Sequence, residues 1–204
     1  MQTITITASD TYPVTLQSVK DALRVSWADD DAMIQEYIAE ATDFVERGLG
    51  RRLMTQTLRT AMYLPNLIIT PLAGIIGGYD GYACEVPWSP VQSVTTVEIE
   101  TQISSWVTLT LTDDYLVDCP DGLPTKVYLS TSALAQWAVA LNYPGNKPRI
   151  RVTYIAGYSD DPKDVPASIR GNIRRCAMWR YENRSAPNIP DDMLDNSAKI
   201  WRLS

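Results

Sequence analysis

Residues 29–50, DDDAMIQEYIAEATDFVERGLG, decide the fold. Apolar side chains recur every three or four residues through this stretch, which is the spacing that places side chains on one face of an α-helix. They are Ile34, Tyr37, Ile38, Ala41, Phe44 and Val45. Acidic residues suit the start of a helix, and glycine suits its end. The stretch therefore predicts an amphipathic helix of about four to five turns that ends at Gly48 or Gly50.

The acidic triplet at the start of this helix, Asp29, Asp30 and Asp31, has two interpretations. Carboxylates in the first turn complement the positive end of the helix dipole, so the triplet suits a capping role. A cation site of the EF-hand type would also need its own glycine and a distal glutamate in the same loop. The sequence therefore favours capping over metal binding.

Two further helices flank a long middle region. Thr15 is a suitable N-cap for a short helix whose apolar face holds Leu16, Val19 and Leu23. Near the other end of the chain, Pro166 suits a first helical turn. The residues on one side of that later helix are Ile169, Ile173, Cys176, Ala177 and Arg180. The sequence thus predicts helical regions at 14–50 and 165–184.

The last predicted helix is strongly basic. Its arginines are Arg170, Arg174, Arg175, Arg180 and Arg184, with Glu182 as the acidic residue among them. Residues 1–50, by contrast, hold nine acidic residues and three basic ones. Opposite charges favour contact, so packing of the two regions within one chain is the preferred interpretation. A second interpretation is a contact between subunits, in which Arg170, Arg174 and Arg175 face the acidic triplet of a neighbour. A third is that the basic helix forms a nucleic-acid patch.

Between the helices, residues 51–158 predict a β-rich insertion. Short segments rich in Thr, Val, Ile and Tyr alternate with Pro, Gly, Asp and Asn, a pattern typical of short antiparallel strands. Two connections are long, at residues 65–86 and 130–147, and the second contains a possible helical turn in SALAQWAVAL. The apolar run LIITPLAGIIGG in the first connection suggests either a contact with a partner or a buried crossover.

The chain after residue 184 predicts an extended C-terminal arm. Residues 185–199 include Pro187 and Pro190 and show little apolar periodicity, so they cannot bury enough surface to fold alone. An apolar cluster of Ile200, Trp201 and Leu203 follows, around Arg202. Burial of such a cluster is favourable, so the arm either folds back on its own subunit or docks on a neighbour, and docking is the favoured alternative.

Together these patterns predict an α+β fold: a small bundle of two N-terminal helices and one C-terminal helix, an inserted antiparallel β-rich region, and the arm. We expect residues 1–184 to form a single domain and residues 185–204 to form the arm. With 204 residues, the chain is long enough for one such domain with an insertion.

Composition argues against several functions. The chain has no histidine, which removes histidine-based nucleophile systems and every metal site that uses imidazole. Its three cysteines form no CxxC pair, so neither a disulfide framework nor a zinc site is expected. The opening residues lack a signal-peptide pattern and no run suits a membrane span, so we expect a protein that is made in the cytoplasm and does not enter a membrane. No cofactor is predicted.

Two other functions stay open as alternatives. A nucleic-acid-binding module is disfavoured because a tight nonspecific binder normally carries a basic excess, whereas this chain has a net charge of -6. A metal-dependent nuclease would have to use Asp113 with Asp114 or Asp160 with Asp161. Adjacent residues on a strand point to opposite faces, so turn and cap roles are favoured for these pairs.

Four fragments occur in order along the chain: VTLQSVKDALRVSWADDDAMIQEYIAEATDFVERGLGRRLMTQTL at 14–58, VPWSPVQSVTTVEI at 86–99, DDYLVD at 113–118, and RVTYIAGYSDDPKDVPASIRGNIRRCAMWRYENR at 151–184. In this order they resemble the head-tail connector, or adaptor, proteins of long-tailed bacteriophages and related gene-transfer particles. The resemblance covers about residues 14–184 and departs from the family at 65–85 and after Arg184.

The resemblance implies a virion structural protein without catalytic activity. It implies a dodecameric ring beneath the portal, in the neck of the particle, with host cytoplasm as the site of assembly. The implied partners are further copies of the chain, the portal protein and a downstream neck or tail-terminator protein, with DNA passing through the channel without sequence-specific contact. It also implies that Ile200, Trp201, Arg202 and Leu203 dock on the portal.

Overall fold

The computed structural model describes residues 1–63, 68–69, 82–102, 105–119, 125–130, 132–133 and 149–194. The chain divides into two compact units. The β unit comprises Met1–Ala8 and Gln56–Ala156, and the helical unit comprises Ser9–Thr55 and Gly157–Ser204. Helices and antiparallel sheets occur together, which confirms the predicted α+β class.

The helical unit contains the three predicted helices: α1 (Leu16–Leu23), α2 (Asp31–Leu49) and α3 (Ala167–Glu182). Thr15 caps α1, because its side-chain oxygen accepts a hydrogen bond from the Ser18 backbone N–H at 3.3 Å. Gly50, with a φ of 66°, ends α2 in the left-handed conformation that glycine adopts without strain. Short 3₁₀ turns follow at Pro162–Asp164 and Asp191–Met193.

The core of the helical unit is built from the apolar faces that the sequence predicts. Its fully buried members on the helices include Val19, Ile34, Ile38, Ala41, Val45, Ile173, Cys176 and Ala177. Complete burial of an aliphatic side chain stabilises a fold by about 1.5–3 kcal/mol. Packing of these faces therefore holds the bundle together, and α2 with α3 forms its main helix pair.

The first part of the C-terminal arm packs on the helical unit. Ile189 is 5% exposed and Leu194 is 7% exposed, and both belong to the core. Leu194 lies against Gly48 of α2, where any side chain would collide with it. For residues 185–194 the expectation of docking on a neighbour is therefore corrected in favour of folding back. Two apolar anchors five residues apart form no helical or strand period, so the sequence pattern does not reveal them.

Among the described residues, nine strands form the β unit, arranged in two antiparallel sheets. The five-stranded sheet has the order β1-β2-β9-β5-β6, and the four-stranded sheet has the order β3-β4-β8-β7. The strands are β1 (Gln2–Thr7), β2 (Gln56–Tyr63), β3 (Ile68–Ile69), β4 (Tyr82–Glu85), β5 (Val91–Gln102), β6 (Ser105–Thr108), β7 (Tyr115–Asp118), β8 (Lys126–Leu129) and β9 (Arg149–Ala156). The predicted β-rich insertion is thus confirmed, and a second apolar core lies within it.

Strand β1 precedes the helical region predicted at 14–50, and the sequence patterns above did not predict it. Its sequence, QTITIT, alternates isoleucine with threonine, and both residue types are β-branched. It pairs with β2 at one edge of the sheet, where Ile4 and Ile6 remain about half exposed. The paired residues of the partner strand lie at least fifty positions away along the chain, so the local pattern alone gave weak support for a strand.

The two long connections are described only in part. Strands β3 and β4 fall inside the 65–86 connection, and the rest of the apolar run lies outside the described residues. In the 130–147 connection, Ser132 and Ala133 are helical, and the remainder of the predicted helical turn also lies outside them.

The backbone directly after strand β9 requires a glycine, Gly157. Its φ of 127° is one that residues with a Cβ rarely adopt, and a side chain there would collide with the backbone carbonyl of Met54. The close approach lets the Tyr158 N–H donate to the Leu53 carbonyl at 3.0 Å and the Thr55 N–H donate to the Ser159 carbonyl at 3.3 Å. Residues 158–159, where the chain re-enters the helical unit, therefore pair with residues 53–55, where it leaves that unit.

In the described part of the chain, none of the helices is long and apolar enough to span a membrane.

Candidate interaction surfaces

The acidic triplet is divided among three environments. Asp31 forms an ion pair with Lys20, whose side chain is 8% exposed and also donates to the Trp27 carbonyl at 2.7 Å. Asp30 is the N-cap of α2, although its side chain makes no capping hydrogen bond. Asp29 is exposed. Asp30 thus occupies the N-cap position without a capping hydrogen bond, Asp31 lies in the first turn of α2, and both carboxylates bind side chains of the helical unit.

Asp30 is held by side chains from two directions. The Tyr181 hydroxyl donates to Asp30 Oδ2 at 2.5 Å, and the Trp27 indole N–H donates to the same oxygen at 3.2 Å. Arg184 lies 3.5 Å from it. These hydrogen bonds, Tyr181 first, hold the pKa of Asp30 below its ordinary value. The cluster joins the start of α2 to the end of α3.

The basic residues of α3 make contacts that the sequence predicts only in general terms. Arg180 pairs with Glu40 of α2 at 2.8 Å, and Arg184 reaches Asp30. The predicted attraction between the acidic N-terminal region and the basic helix therefore operates inside the helical unit. It uses Arg180 in the last turn of α3 and Arg184 just after the helix, rather than the three arginines nearer its start.

Those three arginines, Arg170, Arg174 and Arg175, do not meet the acidic triplet in the described structure. Arg170 donates to the Val165 carbonyl at 3.0 Å. Arg175 donates to the Met193 carbonyl at 2.7 Å and to the Asn172 side chain at 2.7 Å. Arg174 is exposed and has no side-chain hydrogen bond or ion pair with the described residues. Of the three, Arg174 is the one free to meet a partner.

A groove runs along the outer face of α3, and we call it the α3 groove. It has a volume of about 550 Å³. Its lining residues are Ala22, Gly171, Arg174, Arg175, Met178, Trp179, Glu182 and Met193. Gly171 leaves open space in the floor, because a Cβ there would meet no atom within 4 Å. A second groove of about 580 Å³ lies between α2 and residues 187–194.

The β unit carries a stack of paired charges that the sequence analysis missed. Arg149 donates to both oxygens of Glu100, at 2.8 and 2.9 Å, and Arg151 donates to both oxygens of Glu98, at 2.6 Å each. The two guanidinium groups lie 5.4 and 4.1 Å from the centre of the Trp106 ring. The signal was present as Glu-x-Glu in β5 and Arg-x-Arg in β9, since alternate residues of neighbouring strands share a face.

We expect the charge stack to weaken in acid. Hydrogen bonds from Arg151 hold the pKa of Glu98 below its ordinary value of 4.5. A lowered pKa in the folded state contributes stability that is present above the unfolded pKa and is lost as pH falls through the folded one. The free energy of unfolding should therefore fall below about pH 4.5. Urea titrations of wild type and Glu98→Gln at pH values on both sides of the ordinary Glu98 pKa of 4.5 should show a shallower fall in the variant. Identical slopes would contradict the prediction.

The acidic pairs considered for a nuclease occupy turns and caps. Asp114 accepts hydrogen bonds from the Thr110 N–H at 2.9 Å and the Ser132 hydroxyl at 3.2 Å. Asp161 accepts from the Lys163 N–H at 2.9 Å, which caps a 3₁₀ turn. Among the described residues, no three Asp, Glu or Cys side chains gather in a way that could hold a metal ion.

The cysteines are free thiols. Cys84 and Cys176 are buried, and burial raises their pKa to about 12 and about 11. Cys176 packs in the core of the helical unit and Cys84 in the core of the β unit, whereas Cys119 is exposed.

The sequence matches one family model, and the fold matches several solved structures. Residues 13–78 match the family model described as phage gp6-like head-tail connector protein. The resemblance predicted from the sequence is thereby confirmed, over the segment that contains α1 and α2. No curated protein matches the chain.

The fold is shared with chains from gene transfer agent (GTA) particles. A chain from the neck of an empty GTA particle, computed with C6 symmetry, is similar with a TM-score of 0.69 and 17% identity, over 100% of this chain and 98% of that one. A chain from the virion of a native GTA particle gives 0.65 and 16%, over 89% and 84%. A chain from the neck of a native particle, computed with C12 symmetry, gives 0.61 and 17%, over 89% and 84%.

Proposed function

We propose that this chain is a head-tail connector: a structural subunit that forms a ring in the neck of a virion or a related particle. The observation that carries the proposal is the match of the whole chain, both units included, to nearly the whole of a neck chain. The family match to residues 13–78 is independent support, because it rests on sequence alone. The role is structural and not catalytic.

Ring formation requires two different surfaces that fit each other, because head-to-tail contacts close a cycle. The Arg174 guanidinium and the carboxylates of Asp29 and Glu36 are exposed charges of opposite sign in the helical unit, and none of them has a side-chain hydrogen bond or ion pair with the described residues. We assign these residues to the contact between adjacent subunits. Arg170 and Arg175, which the sequence placed in the same face, serve to hold their own chain.

We propose further that the ring contains twelve copies and lies beneath the portal. This arrangement places the portal on one side, a downstream neck or tail-terminator protein on the other, and DNA in the channel. The net charge of -6 suits a channel through which DNA slides without being held. The portal contact is assigned to Ile200, Trp201, Arg202 and Leu203, which lie outside the described residues.

Electron microscopy of the purified protein, alone and mixed with portal rings of the same particle, tests the proposal. We expect ring-shaped particles with sixfold or twelvefold symmetry that stack coaxially on the portal. Arg174→Glu should reduce the fraction of rings, whereas Lys163→Glu, an equal charge change at another exposed position, should not. Absence of rings and of portal binding at every concentration would reject the connector role. Retention on a DNA column at moderate salt would favour the nucleic-acid-binding alternative instead.

A further inference from the structure

The α3 groove has the form of a docking site for a short apolar segment. It follows α3 from Gly171 to Glu182, a length of about 16 Å at the helical rise per residue. Its floor is apolar and includes Met178, and methionine side chains adapt to varied apolar partners. Its volume of about 550 Å³ lies within the range of about 300–1,000 Å³ that is usual for ligand sites.

The chain itself leads into this groove. Met193 forms part of the lining, and its carbonyl is fixed by the Arg175 guanidinium at 2.7 Å. Leu194, the next residue, is buried in the core. Residues 195–204 therefore start at the edge of the groove from a fixed point. Trp201 lies seven positions after Leu194, and seven extended residues reach at most about 25 Å, which exceeds the length of the groove.

The chemistry of these residues matches the lining. Ile200, Trp201 and Leu203 supply apolar groups for the floor, and Arg202 supplies a cation for Glu182. Glu182 is exposed and has no side-chain hydrogen bond or ion pair with the described residues. We infer that residues 200–203 bind in the α3 groove of their own chain before assembly. This inference does not depend on the neck assignment, because it concerns the isolated protein.

Binding within one chain is favoured over exchange between chains by the short tether. Only five residues lie between Leu194 and Ile200, and a short linker gives an effective concentration in the millimolar range. A second copy at micromolar concentration competes poorly with such a tether. The apolar segment is thereby kept from contacts with other molecules until a partner displaces it.

Limited trypsin digestion of the full-length protein tests the docking. Trypsin cleaves after Lys199 and Arg202, and docking should protect both bonds. Gly171→Glu places a charged side chain in the floor without a clash inside its own chain, and it lies one turn from Arg174 and Arg175, so α3 stays folded. We expect cleavage of the two bonds to be at least about tenfold faster in Gly171→Glu than in wild type, as for a site that opens more often. Gly171→Ala, the matched control, should stay within about twofold of wild type, since a methyl group there meets open space.

Equal cleavage rates in wild type and Gly171→Glu would overturn the inference. A cross-linking experiment distinguishes docking within one chain from docking between chains. It combines Met178→Cys with Leu203→Cys in a Cys119→Ser background, so that the remaining native thiols are buried. Oxidation of this variant in dilute solution should give a disulfide within the monomer. The control variant, Glu36→Cys with Leu203→Cys, should give none. Disulfide-linked dimers, or no disulfide with Met178→Cys, would overturn docking within one chain. The trypsin result does not require rings, so its failure is distinguishable from failure of the connector role.

Discussion

A chain that stops after Arg184 is expected to lose most of the stability of its helical unit. The truncation removes Ile189 and Leu194 from the core, and a large-to-small change at a buried aliphatic position costs about 2–5 kcal/mol. Two such losses approach the entire stability of about 5–15 kcal/mol that is usual for a folded protein. The truncation also removes the carbonyls of Ala186 and Met193, which accept hydrogen bonds from Arg180 and Arg175.

The matched control is a chain that stops after Leu194. It keeps both buried anchors and loses only residues 195–204. Thermal unfolding followed by circular dichroism should show a fall of many degrees for the first truncation and a fall of a few degrees at most for the second. Each kcal/mol shifts the midpoint by about 2–4 °C in a protein of this size. Equal midpoints for wild type and the chain that stops after Arg184 would show that residues 185–194 do not belong to the core.

The helices could be predicted because their determinants are local. The stripe of Ile34, Ile38, Ala41 and Val45, the cap at Thr15 and the stop at Gly50 all act within a few residues. The strands of the insertion were likewise marked by β-branched residues between turns. The resemblance added the order of the fragments, and the family model matches residues 13–78, which contain the first fragment.

The features that sequence reasoning missed depend on distant partners. Strand β1 needs β2, Ile189 and Leu194 need the surface of α2 at Gly48, and the arginines of β9 need the glutamates of β5. Each of these contacts joins segments that lie far apart along the chain, so no local period reveals it. The candidate contact face stays a prediction, and the sequence could not show that Arg175 holds Met193 while Arg174 has no side-chain partner among the described residues.

Glu46→Ala is expected to be the most destabilising single substitution of a charged residue in the helical unit. Glu46 lies in the last turn of α2 and is 4% exposed. One carboxylate oxygen accepts from Arg52 Nη1 at 2.6 Å, and the other accepts from the Leu53 backbone N–H at 2.9 Å. Leu53 is fully buried, so its N–H cannot turn to water when the carboxylate is removed. The carboxylate thus ties the chain leaving α2 to the core.

Removal of one partner from a buried ion pair costs about 3–5 kcal/mol, because the other charge stays buried without compensation. The matched control is Asp43→Ala on the same helix. Asp43 pairs with Arg47 at 2.6 Å, but the two side chains are 56% and 66% exposed, and such exposed pairs contribute about 0–1 kcal/mol. Urea denaturation should therefore separate the two variants by at least about 2 kcal/mol in the free energy of unfolding. Glu46→Gln should fall between them, since its amide oxygen can still accept from Leu53 while the charge is lost. If Glu46→Ala unfolds at the same urea concentration as Asp43→Ala, the carboxylate does not hold the end of α2 in place.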